Sequence, residues 1–329
     1  MTAVSPTLFN RSLSRSRPWW LTLAVCGGLF VMPFAAAAVD GVLTELIRHP
    51  IMRPILLPSV IISYIILSAP LMSRGEADMM RHLRPIVLVD DAQFASIVTQ
   101  ASRINPVGEV TAAAFGAIIG FGYSLGWDFE ETPWLSAYIT LGLSAMFAVL
   151  AWTIYESLAS TKLLAALHRQ PMAIDLLDIS PLEPIGRQSL LSTLVFLGGI
   201  LLGMVFGLDM ASFLMWRTWL AYGPLALFVV LLFFLSMRDT HRVLTTEKKR
   251  ELEVVNQRLH EVTSHFRRAM AADKMDGEVS ATLAGLLAYE RRIRSAPTWP
   301  YNMTMIQTLL FSILLPLLVK ALTWVMFER

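Results

Sequence analysis

The stretch QSLLSTLVFLGGILLGMVFGL, residues 188–208, decides the fold. It holds no Asp, Glu, Lys, Arg or His. As a helix it rises about 30 Å, the thickness of a bilayer's hydrocarbon core. Gly199, Gly203 and Gly207 recur at every fourth position, so they lie close to one helix face. Missing side chains there let another backbone approach, a main source of helix packing in lipid. A turn with Asp209 and Arg217 follows, then a bulky apolar run to residue 237. Residues 187–237 therefore read as a membrane hairpin.

The rest of the chain repeats this texture. Of its 329 residues 55% are hydrophobic and 16% charged, against roughly 25% charged in soluble domains, which excludes a soluble globular fold. Further apolar runs lie at 19–39, 55–72, 110–127, 134–155 and 304–327. The expected class is an all-α, polytopic membrane helix bundle with seven transmembrane helices. Arg11, Arg15 and Arg17 precede the first run, and Pro33 with Ala35 to Ala38 sits near its end. That pattern fits a retained span or a cleaved signal peptide; cleavage would leave six spans, and we take the run as retained. The run at 110–127 has a second small-residue face, Gly116, Gly120, Gly122 and Gly126, so both glycine sets are expected to pack helices, in the manner of a glycine zipper. The single cysteine, Cys26, allows no internal disulfide.

Charge sets an expected orientation. With the N-terminus inside, the tail 1–18, the loops 73–109 and 156–187 and the region 238–303 carry 22 of the 27 Lys and Arg. That is the positive-inside pattern. It predicts a multi-pass protein of the plasma membrane, a bacterial inner membrane, with the C-terminus outside. Pro50, Pro54 and Pro58 discourage a continuous helix before the second span. In the first inner loop Asp90 or Asp91 can cap a short amphipathic helix with Phe94, Ile97 and Val98, expected to lie along the membrane surface.

The chain divides into a cytoplasmic tail (1–18), a six-span region (19–237), a polar arm (238–303) and a last span with a short outer tail (304–329). In the arm Leu252, Val255, Leu259, Val262 and Phe266 form a heptad-like seam. Asp276-Gly277 marks a turn, and a second amphipathic helix is expected over 279–294. The arm should be a cytoplasmic helical hairpin between helices 6 and 7, open to a protein partner or to self-association. Lys248, Lys249 and Arg250, and Lys320 in the last span, can reach lipid headgroups. The arm carries 12 basic and 9 acidic residues and is no nucleic-acid platform.

The units 82–155 and 168–237 echo each other. His82-Leu83-Arg84-Pro85 faces His168-Arg169-Gln170-Pro171, and Gly122, Gly126 and Asp128 match Gly203, Gly207 and Asp209 at identical spacing. Such an order would be a parallel duplication, a device of some transporters. Chance similarity between apolar helices is the competing explanation.

Chemistry-bearing motifs are sparse. His260-Glu261 and His265 miss the four-residue histidine spacing of a zinc-protease helix. Asp175, Asp178 and Glu183 beside Pro181 and Pro184 suit turns and caps better than a cation site. No catalytic residue, metal ligand or cofactor is expected. The reading is a non-enzymatic membrane scaffold or signalling component, associated with lipid, with its own copies or with a cytoplasmic protein. The alternative is a transporter or channel for a small solute, not coupled through buried carboxylates, since none is evident in the spans.

Overall fold

In lipid every backbone N–H and C=O must be paired within its own segment, so apolar runs of this density are helical. The computed structural model describes residues 19–101, 105–125, 131–173, 175–178, 180–207, 216–271, 277–299, 304–305, 307–308 and 310–311. It is all-helical. The helices are α1 (Trp19–Val39), α2 (Leu43–Arg48), α3 (Met52–Leu83), α4 (Asp91–Ala101), α5 (Pro106–Ser124), α6 (Pro133–His168), α7 (Glu183–Gly207), α8 (Trp216–Ala271) and α9 (Gly277–Ser295), with a 3-10 turn at Ser180–Leu182. Among the described residues five stretches are long and apolar enough to cross a membrane: α1, α3, the stretch ending in α5, α6, and α7 with its preceding turn. The expected sixth span falls in the first part of α8. Most of the expected seventh, the outer turn with Asp209, and Lys320 lie outside the described residues.

Length separates the spanning parts from what projects. α3 has 32 residues and α6 has 36, about 48 and 54 Å of rise, well beyond the roughly 30 Å hydrocarbon core. Their uncharged parts are residues 54–73 and 133–155. The later turns, with Arg74, Glu76, Asp78 and Arg81 on α3 and Glu156 and Lys162 on α6, are charged and exceed the length a crossing needs. We call that end of the bundle the polar end. α8 is one helix of 56 residues, about 84 Å long, and it runs without a break from the expected span into the arm.

Helix α5 packs on α6, α3 on α7 and α6, α1 on α3 and α6, α8 on α7 and α6, and α9 on α8. At the end away from the polar end, Ala37, Leu46, Ile55, Ile61, Ile65, Leu135, Ile139, Leu143 and Met146 form one buried cluster. Polar ties hold it. Ser59 Oγ donates to Leu29 O of α1 at 2.6 Å and lies 2.9 Å from Tyr138 Oη, which donates to Ile55 O at 3.2 Å. The Asp40 carboxylate, just past α1, accepts from Trp134 and Leu135 N–H at 3.3 and 2.8 Å. Asp40 thus caps α6 from across the bundle, satisfying amides a helix start leaves open.

The helix is interrupted between Arg48 and Met52, around Pro50, as expected, but Pro54 and Pro58 do not interrupt α3. Pro54 sits in the first turn of α3, where no N–H partner is needed, and Pro58 and Pro70 lie inside the helix. The Tyr138 hydroxyl bonds Ile55 O, next to the Pro54 carbonyl that Pro58 leaves without its helical donor.

Candidate functional site

The polar end carries the largest shared core. Met79 and Leu83 of α3, Ile86 after it, Val98 of α4, Leu163, Leu164 and Leu167 of α6, Leu176, Leu182 and Ile185 of the second connection, Leu244 and Val255 of α8, and Ile293 and Ala296 of α9 and its end form one buried cluster. Phe94, Ile97, Leu252 and Leu259 pack against it. The apolar face of α4 is therefore spent on protein, and α4 sits against α6. Leu163, Leu164 and Leu167, on the later turns of α6, lie in the cluster that Phe94, Ile97 and Val98 join. Asp90 caps α4 through Gln93 N–H at 2.5 Å. Arg84 ion-pairs with Asp91 and lies over the Phe94 ring, 4.9 Å from its centre.

The two connections meet at an antiparallel bridge, Val87 with Met172. Leu88 N–H donates to Pro171 O at 2.9 Å, and Ala173 N–H to Ile86 O at 2.8 Å. These segments directly follow the matched sequences at 82–85 and 168–171. Each helix entering one connection also packs on the helix leaving the other, α3 on α7 and α6 on α5.

The arm is fixed at its root. His168 on α6 is 8% exposed. Its Nδ1 lies 2.8 Å from Leu164 O, which can only accept, so Nδ1 carries the proton and Nε2 accepts from Thr240 Oγ1 of α8 at 2.9 Å. Burial pushes the imidazole below its ordinary pKa, opposed by the Leu164 carbonyl and Asp239. His241 stacks on Trp299, ring centres 3.9 Å apart, and its Nδ1 donates to Thr298 O at 2.9 Å. Lys248 Nζ donates to Arg294 O and Ala296 O, both at 2.7 Å, closing the C-terminal end of α9. Tyr289 Oη donates to Glu251 Oε1 at 3.0 Å. Val255, 3% exposed, belongs to the core, and Leu252 and Leu259 pack on it, so much of the seam is used inside the chain. Val262 and Phe266 are half-buried further out, while Val254 and Leu287 stay exposed. Of the basic run, Lys248 is committed to α9, whereas Lys249 and Arg250 face solvent, Arg250 lying 3.9 Å from Glu247.

The glycines divide. A Cβ on Gly116 would stand 2.2 Å from Phe147 O, and one on Gly120 2.4 Å from Leu143 O, both backbone atoms of α6. Gly122 faces open space. On α7 a Cβ on Gly199 would make only ordinary contact with Tyr64, while one on its neighbour Gly198 would stand 2.3 Å from the Tyr64 hydroxyl. That absence of a side chain lets Tyr64 Oη donate to Val195 O at 2.9 Å. Gly203 is buried and Gly207 borders a small apolar crevice with Pro54, Pro58, Tyr123 and Leu143. Gly126 lies outside the described residues.

Two carboxylates at the polar end are packed against protein, Glu109 buried and Glu76 half-buried. Glu109, at the start of α5, is 4% exposed. Glu76, one turn past the apolar part of α3, accepts from Ser160 Oγ of α6 at 3.3 Å. Both lie beside the expected spans 55–72 and 110–127 rather than within them. The acidic group of the second connection makes local bonds. Asp175 accepts from Leu177 N–H at 2.8 Å, Asp178 from Ser180 N–H and Oγ at 3.1 and 2.6 Å, and Glu183 pairs with Arg187 at 3.6 Å. The Ser180 bonds hold Asp178 below the usual carboxylate pKa. His260 and His265 are exposed, and Glu261 pairs with Arg258 at 3.3 Å. No group of three metal-ligating side chains occurs among the described residues. The chain matches no protein-family model, no curated protein and no solved structure.

Proposed function

We propose that this chain is a non-enzymatic membrane scaffold or signalling component whose working surface is the polar end, facing the cytoplasm of a bacterial inner membrane. The observation that carries the reading is the buried cluster joining α3, α4, α6, α8 and α9 beyond the uncharged runs of α3 and α6. Such a core makes the arm a fixed continuation of the spans. A shift of α8 within the membrane would then reach its far end with little loss, because the helix is unbroken. The seven-span topology, the inside N-terminus, the headgroup role of Lys249, Arg250 and Lys320, and the docking of a protein or a second copy on the arm belong to this proposal. The exposed apolar residues Val254 and Leu287 are the places to test it. Val254→Glu or Leu287→Glu in the full chain should reduce cross-linked oligomer or partner while the melting temperature holds. Unchanged association in both variants would remove the docking role.

A second reading is favoured by the bridge between the connections and the exchanged packing of α3 with α7 and α6 with α5. A twofold axis through the bridge would generate both. The duplicated units would then be α3 to α5 and α6 to α7, one helix earlier than the matched sequences suggest. Parallel repeats of this kind occur in transporters. Osmotic swelling of proteoliposomes against a panel of small neutral solutes tests it; no solute entering faster than in empty vesicles would count against transport.

A further inference from the structure

We propose that Glu76 is a proton-binding site, the bound proton holding α3 against α6 where both helices leave the membrane. Glu76 accepts one hydrogen bond, from Ser160 Oγ at 3.3 Å, and makes no ion pair among the described residues. On the α7 side Gln188 Nε2 donates to Met72 O at 3.3 Å, and its side chain lies over Gly75, where a Cβ would stand 2.0 Å from Oε1. Gln188 Oε1 is buried and has no hydrogen-bond partner. The half-buried Glu76 is therefore faced by a hydroxyl and adjoins a glycine covered by a neutral amide, and no cation pairs with it among the described residues.

The charged groups near by do not serve. On α3, Asp78 pairs with Arg81 at 3.1 Å, and Arg74, two residues from Glu76, lies about 200° round the helix. On α6, Lys162 is likewise two residues from Ser160, and Glu156, one turn before it, has the same sign as Glu76. On α7, Arg187 is taken by Glu183 at 3.6 Å. On α8, Asp239 acts on His168. A partly buried carboxylate without a counter-charge has its pKa raised. Burial raises the Glu76 carboxyl above its ordinary value, and the Ser160 hydroxyl opposes this. A raised folded pKa means a contribution fully present below the ordinary value of 4.5 and lost as pH rises through the folded value.

Ionisation would leave a bare charge between the two helices that carry Met79, Leu83, Leu163, Leu164 and Leu167 into the shared core. The proton thus bears on the scaffold's polar end, but the site does not depend on what docks there.

The test uses the full chain in nanodiscs and the isosteric change Glu76→Gln. The melting-temperature advantage of Glu76→Gln over the unaltered chain should widen between about pH 5 and about pH 8, by roughly 2–3 °C for each unit of raised pKa. Dicyclohexylcarbodiimide, which attacks protonated carboxyls in apolar surroundings, should modify Glu76 at neutral pH, and the adduct should diminish as pH rises. Ser160→Ala, which removes the one donor to the carboxylate, should move both transitions to higher pH. It also provides the comparison if Glu76→Gln does not fold. A pH-independent difference between the chains overturns the proposal. So does a transition that moves when sodium replaces choline at equal ionic strength, since that marks a metal-cation site.

Discussion

Alanine at Gly116 or Gly120 should destabilise the bundle, while alanine at Gly122 should not. A Cβ at Gly116 falls about 1.2 Å short of ordinary contact with Phe147 O and also meets Ala151 Cβ at 2.8 Å; at Gly120 it stands 2.7 Å from Ser144 Cα. The obstacles are mostly backbone, so no rotamer change relieves them and α5 must move off α6. Overpacking of this kind costs about 1–3 kcal/mol, with the upper end fitting an immovable neighbour. Alanine recovers about 1 kcal/mol of helix propensity over glycine. The net loss is about 2 kcal/mol at either site, roughly 4 °C of melting temperature in a chain this large. At Gly122 nothing lies within 4 Å, so only the propensity gain remains and the melting temperature should hold or rise. The assay is thermal unfolding of purified protein in detergent and in nanodiscs, followed by tryptophan fluorescence. Three alanine variants shifting by the same amount and sign would refute the packing argument.

Three further expectations concern the ties between helices. Asp40→Ala removes the cap on α6 and should cost about 1 kcal/mol, whereas Asp40→Asn, which still accepts from Trp134 and Leu135, should keep most of it; chemical denaturation of both variants checks this. Lys248→Met deletes two bonds to the end of α9, so limited proteolysis should cut near residue 296 several-fold faster, with the spans untouched. His168 has a lowered folded pKa, so its contribution is full above about pH 6.5 and is lost as pH falls toward the folded value. His168→Gln should flatten that acid-side decline in melting temperature, the opposite side from the loss expected of Glu76.

Five of the expected spans were legible as helices long and apolar enough to cross a membrane, because an uncharged run of about 20 residues has few alternatives in water. Where they end was not. Met79, Leu83, Leu163, Leu164 and Leu167 follow the first charged residues of α3 and α6, and a charge after an apolar run reads as the start of a loop. The spacing of Leu163, Leu164 and Leu167 on one helical face, inside a polar stretch, was the available signal. The seam of Leu252, Val255 and Leu259 was visible, but a heptad pattern does not say whether its partner is another chain or α9. Spacing separates the glycines better than their number does. Gly116 and Gly120 are four apart and meet one helix, whereas Gly122 lies about 200° round from Gly120. Gly198 escaped because its reason is the hydroxyl of Tyr64, 134 positions earlier in the chain. Glu76 and Ser160 likewise meet only through the packing of α3 on α6.

The central claim is that one core joins the projecting helices to the arm, and hydrogen exchange of Leu167→Ala in nanodiscs tests it most directly. Leu167 is fully buried in the cluster that contains Ile293, and truncating such a leucine costs about 2–5 kcal/mol. The account predicts faster exchange in peptides from α9 and from α8 around residues 244–255, as well as in α6. Faster exchange confined to α6, with the arm unaltered, would contradict it.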